Sequence, residues 1–444
     1  MRMAFDVTKD QAFRARQAMN HLERAIIYVV PLLMVLAEAL ALTVDRSIAP
    51  HHALHPLNGQ LVFTATAAAI ALMTMRRGEI GNLIGLGGVL IAVLLPVGYA
   101  FGARGLTLVS IAGECLWLAS LVLAAHAVAA AGGRERLSAL DVLVIRFALP
   151  SCLPLLLVML WIQSGHLSTV YDLHLYAFDG LFGATIVKVV PIFVRSVPGL
   201  LTALWLVYQS LVPVVALFAV LQRDENGFVQ GKLLSRFLIT AALGYVLYEV
   251  MPGIGPLMAF ADVFPYDLPD AATVTPGLYV EHDGAPRNAM PSLHTAWALL
   301  VFIAAWSMGR WLRLAGGLFL AATLAATLAL GEHYLVDLIV AVPFVLVVEG
   351  IAANPFAPAG RRASLQAIAA GAAMIAAWLL AIRFGGVALR GLPLVPWLMT
   401  LGTFGLSLGL LLRLPRGTAA ASSPPPRRPA AVARSRTARA LPVG

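Results

Sequence analysis

Two short stretches gather the side chains able to carry chemistry. The first, Arg287-Asn288-Ala289-Met290-Pro291-Ser292-Leu293-His294, ends a long polar loop and opens an apolar run. Proline suits the first turn of a helix, where its missing N–H would have no partner, so the spacing predicts a helix start with Ser292 and His294 in the first turn. Backbone amides and the dipole at such a start attract phosphate. Arg287 precedes Pro291 by one helical turn's worth of chain and could add a bidentate grip on the same anion.

The second stretch, Gly331-Glu332-His333-Tyr334-Leu335-Val336-Asp337, falls where one apolar run turns into the next. His333 and Asp337 stand at i and i+4, a spacing that predicts one shared helix face. A carboxylate so placed accepts the proton of one imidazole nitrogen while the other faces the site. A nucleophilic or basic histidine needs that orientation. A lone histidine at a membrane boundary is more often an interfacial residue; the two clusters together, expected on one membrane face, carry the reading.

The elements that must position these residues are membrane spans. Of 444 residues, 60% are hydrophobic and 12% charged, too apolar for a soluble enzyme. The apolar residues recur in runs of about 20, the length that crosses a hydrocarbon core and more than a signal peptide needs. Twelve spans are expected, at roughly 26–44, 60–75, 80–102, 105–131, 140–162, 198–221, 234–253, 292–309, 312–331, 334–351, 366–384 and 393–413. In lipid such runs must be helices, because every backbone amide needs a partner within its own segment.

Charges between the runs alternate as the positive-inside rule expects. Arg14, Arg16 and Arg24 precede the first run, and Arg76/Arg77, Arg134/Arg136, Arg223/Lys232, Arg310/Arg313 and Arg361/Arg362 follow every second one. Both termini are then expected in the cytoplasm of a cell inner or plasma membrane. The loops at 163–197, 254–291 and 331–333 share the extracytoplasmic side with both clusters. The net charge of +9 follows from these loops and from the tail, so it is read as topology and lipid attraction and not as nucleic-acid binding. Cys115 and Cys152 lie inside apolar runs without the spacing of a metal or redox site.

With both clusters in view, the sequence resembles the phosphatidic-acid phosphatase type 2 superfamily of membrane lipid phosphatases and phosphotransferases. Pro291-Ser292-Leu293-His294 is similar to its second motif, Pro-Ser-Gly-His, and His333 to Asp337 to the end of its third. Leu293 and the Glu332-His333-Tyr334 context are closer to the inositolphosphotransferase branch, which includes inositol phosphorylceramide synthases. The resemblance implies that His333 attacks phosphorus to give a phosphohistidine, that Asp337 orients it, and that His294 protonates the leaving oxygen. Ser292 and nearby amides would hold phosphoryl oxygens, and no cofactor or metal is implied. Phosphoryl transfer needs such an in-line nucleophile, an acid and fixed positive charge.

The sequence departs from the family pattern in its cations. The first motif's lysine and arginine would fall near Tyr248–Pro256, which has no basic residue, and Thr327 stands where the third motif carries arginine. Arg287 is the best-placed replacement, with Lys188 and Arg195 behind it. Asp179, from the stretch that also holds Asp172 and His174, and Glu249 are further candidate substrate contacts.

The fold class expected is an all-α polytopic membrane protein: a six-helix phosphatase-like core with flanking helices. Residues 1–139 would form an N-terminal region of four spans, 140–351 the catalytic core, 352–413 two C-terminal spans and 414–444 a disordered Pro/Arg-rich cytoplasmic tail. The substrate implied is a phosphorylated lipid, of phospholipid or polyprenyl phosphate type, with water or an alcohol as acceptor. Two other readings compete. A carrier shares the twelve-span layout, although no inverted repeat and no broken helices in matched positions are visible. A zinc enzyme could draw on Glu281, His282, Asp283, His294, His333 and Asp337.

Overall fold

The computed structural model describes residues 22, 25–29, 80–100, 106–132, 136, 139–144, 146–147, 169–183, 186–222, 232–280, 285–358 and 360–415. The second span expected and the tail lie outside these residues, and so do most of the first and fifth spans.

Helices dominate. The first two, α1 (Ile80–Ala100) and α2 (Leu106–Ala130), pack on each other and are apolar on all sides, with Ile84, Val89, Val93 and Val122 exposed. A helix without a polar face belongs in lipid. Gly81 and Gly85 stand four residues apart on α1, and a Cβ at either would meet nothing within 4 Å. The tight contact is at Gly87, where a Cβ would lie 2.8 Å from the Leu116 side chain.

A two-residue strand, β1 (Thr169–Val170), then leads into α3 (Asp172–Asp179), α4 (Ile186–Ser196), α5 (Leu200–Gln209) and α6 (Leu211–Leu221). The region expected as a loop over 163–197 therefore holds two helices. The segments Asp172–Phe182 and Ile186–Ser196 meet at 83°, and α5 bends by 50° into α6 at Ser210, so the single span expected over 198–221 is broken. Broken helices thus do occur, but the two pairs are adjacent and not placed in matched halves of the chain.

The centre is built by α7 (Lys232–Val250), the one-turn α8 (Pro256–Ala259), α9 (Leu293–Ala305), α10 (Arg310–Leu330) and α11 (Leu335–Ala352). Strand β2 (Tyr279–Val280) returns to pair antiparallel with β1, Thr169 opposite Val280. α11 is the hub, buried along nearly its whole length and packed against α7, α9, α12 (Arg361–Leu380) and α13 (Leu394–Leu411). Its C-terminal end carries Glu349, held bidentately by Arg236 of α7 at 2.5 and 3.0 Å, a pairing that offsets the cost of a charge inside the bundle.

Seven described helices are long and apolar enough to cross a membrane, or up to nine if each bent pair counts as one span. The span expected over 292–309 is α9, only 13 residues long and ended before Gly309, whose φ of 103° few other residues adopt. At about 1.5 Å per residue it is shorter than a hydrocarbon core.

Candidate active site

Each cluster acquires its geometry from a helix end. α10 stops at Gly331, whose φ of 78° reverses the chain, with the N–H of Glu332 bonded to Thr327 O at 3.2 Å and that of Gly331 to Leu328 O at 3.1 Å. This is the Schellman closure that a left-handed glycine permits. It delivers Glu332 and His333 immediately before α11, so His333 lies outside the helix and does not share a helical face with Asp337. Asp337 instead reaches back as the third residue of α11 and accepts the N–H of Tyr334 at 2.7 Å. That capping contact draws its Oδ2 to 3.5 Å from His333 Nδ1. The contact between histidine and carboxylate is therefore made by a cap.

The other end of the pair is set by main chain. His333 Nδ1 stands 2.9 Å from the carbonyl oxygen of Ala289. A carbonyl only accepts, so the proton belongs on Nδ1 and the lone pair on Nε2. Burial lowers the His333 pKa to about 4, with Glu332 and the Ala289 carbonyl pulling the other way, so the ring is neutral near pH 7. Burial likewise raises the Glu332 carboxyl above the usual range, and the nearby His333 opposes that rise.

Ser292, expected in the first helical turn, is the N-cap of α9: its Oγ accepts the Thr295 N–H at 3.3 Å, and Pro291 lies outside the helix. The Ser292 N–H is bonded to Asp337 O at 3.2 Å, which ties the two helix starts together. His294 follows in the first turn, its ring centroid 6.3 Å from that of His333. The sequence clusters are thus brought together around two imidazoles.

The surrounding acids are mostly architectural. Asp179 accepts the Leu335 and Val336 N–H groups at 2.7 and 3.0 Å, placing a carboxylate on the positive end of α11. Asp172 accepts from Ile254 N–H at 3.0 Å, Gly255 N–H at 2.9 Å and Tyr334 hydroxyl at 2.9 Å. It thereby holds the 253–255 segment, and Gly253 O in turn takes the Ala289 N–H at 2.9 Å. A Cβ at Gly255 (φ 84°) would sit 2.3 Å from Glu332 O, so only glycine lets this segment pass the histidine turn.

Among the candidate cations, Arg287 is buried and donates from one terminal nitrogen to Ala285 O at 2.6 Å. Arg195 donates to Ala329 O at 2.9 Å, near the last turn of α10, and its guanidinium lies 5.3 Å from the Phe264 ring. Lys188 is half-buried on α4. Thr327 turns its hydroxyl back to Leu324 O at 2.9 Å. Glu249 is exposed, and it is the preceding Tyr248 that is buried, with its hydroxyl at the Leu293 N–H.

The sequence did not single out Tyr208, whose ring stacks on His294 with centroids 3.7 Å apart and planes 13° from parallel. It also missed Tyr334 and the Ala289 carbonyl as the groups that hold the site. Among the described residues no three His, Cys, Asp or Glu side chains form a metal-binding group. Glu281, His282 and Asp283 lie outside those residues.

Residues 173–351 match the family model described as the PAP2 superfamily, a stretch that runs from α3 to the end of α11 and includes both histidine clusters. The match supports the superfamily that the motifs resemble, and with it an enzyme acting on phosphate esters in a membrane setting. No curated protein and no solved structure matches the chain.

Proposed function

We propose that the protein is an integral membrane lipid phosphotransferase or phosphatase that works through a phosphohistidine on His333. The observation that carries this reading is the bond from His333 Nδ1 to the Ala289 carbonyl, which leaves Nε2 as a lone pair beside His294. In the first half-reaction the Nε2 pair forms the P–N bond and the bond from phosphorus to the leaving oxygen breaks. The leaving oxygen keeps that electron pair and takes a proton from the His294 imidazolium. In the second, His294 accepts the proton of water or an alcohol whose oxygen attacks phosphorus, and the P–N pair returns to His333. Asp337 balances the positive charge His333 gains, and Arg287 with the start of α9 offers charge and dipole for phosphoryl oxygens.

Leu293 and the Glu332-His333-Tyr334 context favour an alcohol acceptor, as in the inositolphosphotransferase-like branch. An extracytoplasmic site is supported by the arginines at the opposite helix ends: Arg310 and Arg313 open α10, and Arg361 and Arg362 open α12, each a full helix away from the histidine face.

The test is to incubate purified protein with a phospholipid labelled in its phosphate, quench in alkali, and look for protein-bound label that acid removes. Candidate acceptors added before the quench should discharge it, and the fastest identifies the reaction. Absence of acid-labile label from wild-type protein during measured turnover would end the phosphohistidine assignment.

A further inference from the structure

We infer that Tyr208 is a positioning residue for His294, fixing its ring and stabilising its protonated form through the face of the phenol; this rests on the phosphoryl-transfer reading above. The two histidines are held by different means. His333 is fixed by a hydrogen bond to main chain. Among the described residues no hydrogen bond fixes His294, and the groups that set its orientation are aromatic. Tyr208 lies flat on one face at 3.7 Å, and Trp297 meets the ring edge-on at 6.4 Å. Trp297 is itself immobilised, its Nε1–H donated to Phe237 O at 3.2 Å and its ring stacked on Phe237 at 4.6 Å.

A ring held by faces and not by its nitrogens keeps both nitrogens available for proton transfer. It must also become positive in a buried site, where desolvation disfavours an imidazolium. An aromatic face within about 6 Å offsets that cost through its quadrupole. The bend at Ser210 serves this contact: α5 ends at Gln209, and the 50° turn into α6 leaves Tyr208 at the end of its helix against the start of α9.

The choice of leaving group isolates the first half-reaction, in which His294 gives its proton to the leaving oxygen. Phenyl esters, whose phenolate is a poor leaving group, need that proton; 4-nitrophenyl esters depart without it. We would measure kcat/KM for both, which reports the steps through leaving-group departure and not the later discharge, as phosphate monoesters and as methyl phosphodiesters, for wild type, Tyr208→Phe, Tyr208→Leu and Tyr208 replaced by pentafluorophenylalanine. Tyr208→Phe keeps the face and should hold both rates near wild type. Tyr208→Leu should lose roughly fivefold to thirtyfold on the phenyl ester and little on the nitrophenyl ester. The fluorinated ring, similar in size but inverted in quadrupole, should reproduce that selective loss in a protein that packs as Tyr208→Phe does.

Equal losses on both leaving groups, or a fluorinated variant as fast as Tyr208→Phe on the phenyl ester, would overturn the assignment. Wild-type protein inert toward all four esters and toward phospholipid would instead remove the phosphoryl-transfer reading, and this inference with it.

Discussion

The Nδ1 of His333 stands 2.9 Å from Ala289 O and 3.5 Å from Asp337 Oδ2, so main chain and not the carboxylate makes the shorter bond to the ring. At 3.5 Å the carboxylate is an electrostatic neighbour more than a hydrogen-bond partner. Fixing the tautomer and balancing charge are thereby divided between two groups. Asp337→Asn should keep the Tyr334 cap through its amide oxygen and keep the ring in place. It should still lower kcat, by about tenfold or more, because the imidazole becomes positive without a compensating charge. Wild-type kcat in Asp337→Asn, with unchanged folding by circular dichroism, would reduce Asp337 to a capping residue.

His333→Ala and His294→Ala should both abolish turnover of phospholipid and differ in the intermediate. His333→Ala should form no acid-labile phosphoenzyme with any donor. His294→Ala should still form it from a nitrophenyl ester, whose leaving group needs no proton. Label bound to His333→Ala would move the nucleophile elsewhere.

The sequence brought these two histidines into view because each motif is local: a serine two residues before one, and a carboxylate four residues after the other. It did not reveal Ala289, because a carbonyl acceptor has no side-chain signature. Nor did it reveal Tyr208, or the structural use of Asp172, because their partners lie far along the chain and follow from how α3 and α5 pack. The same limit explains the region before residue 198. Gly165, Gly180, Gly183, Pro191 and a few charges interrupt the apolar run over 163–197, which reads as a loop, while burial of Tyr176, Phe178 and Phe182 against the bundle makes it helical. Hydropathy alone also extended α9 beyond its end, since Trp306 and Met308 are apolar although the helix stops there.

Asp179 should prove to be a structural acid. Its two oxygens take the first two amides of α11, so Asp179→Ala would leave both without a partner and cost about 1–3 kcal/mol. A lower unfolding midpoint in detergent, with activity lost in parallel, is expected. Asp179→Ala with unchanged stability and a raised KM would restore the substrate-contact role.

The pH profile should reflect the burial of His333. Its folded pKa of about 4 lies below the ordinary 6.5, so the nucleophile stays neutral through mildly acidic conditions. The kcat/KM attributable to this group should stay level from pH 7 to about 5 and fall tenfold per unit only below about 4. The linked stability runs the same way. The unfolded chain binds this proton first, so the contribution is complete above pH 6.5 and is lost as pH falls from there to about 4. A kcat/KM that halves at pH 6.5 and follows the unperturbed histidine curve would show that the ring is solvated when it reacts.

Arg287 offers the sharpest division between anchoring and phosphate binding. The cations usual in the superfamily that the motifs resemble are absent from Tyr248–Pro256 and from Thr327, and the described alternatives are placed differently. Arg195 is engaged by Ala329 O, and Lys188 is half-buried on α4. Arg287 is buried in the segment that leads through Ala289, the partner of His333, to the start of α9. Removing a charge-assisted contact made in the transition state costs on the order of 2–4 kcal/mol, so Arg287→Ala should lower kcat/KM by roughly 30-fold to 1,000-fold. Arg287→Lys keeps the charge without the planar fork and should recover only part. The bond to Ala285 O gives the guanidinium a structural use as well, and inorganic phosphate separates the two roles. If Arg287 grips phosphate, inhibition by inorganic phosphate should weaken in both variants even where the unfolding midpoint is kept. If it only anchors the loop, Arg287→Lys, which can still donate to Ala285 O, should restore stability and phosphate inhibition together.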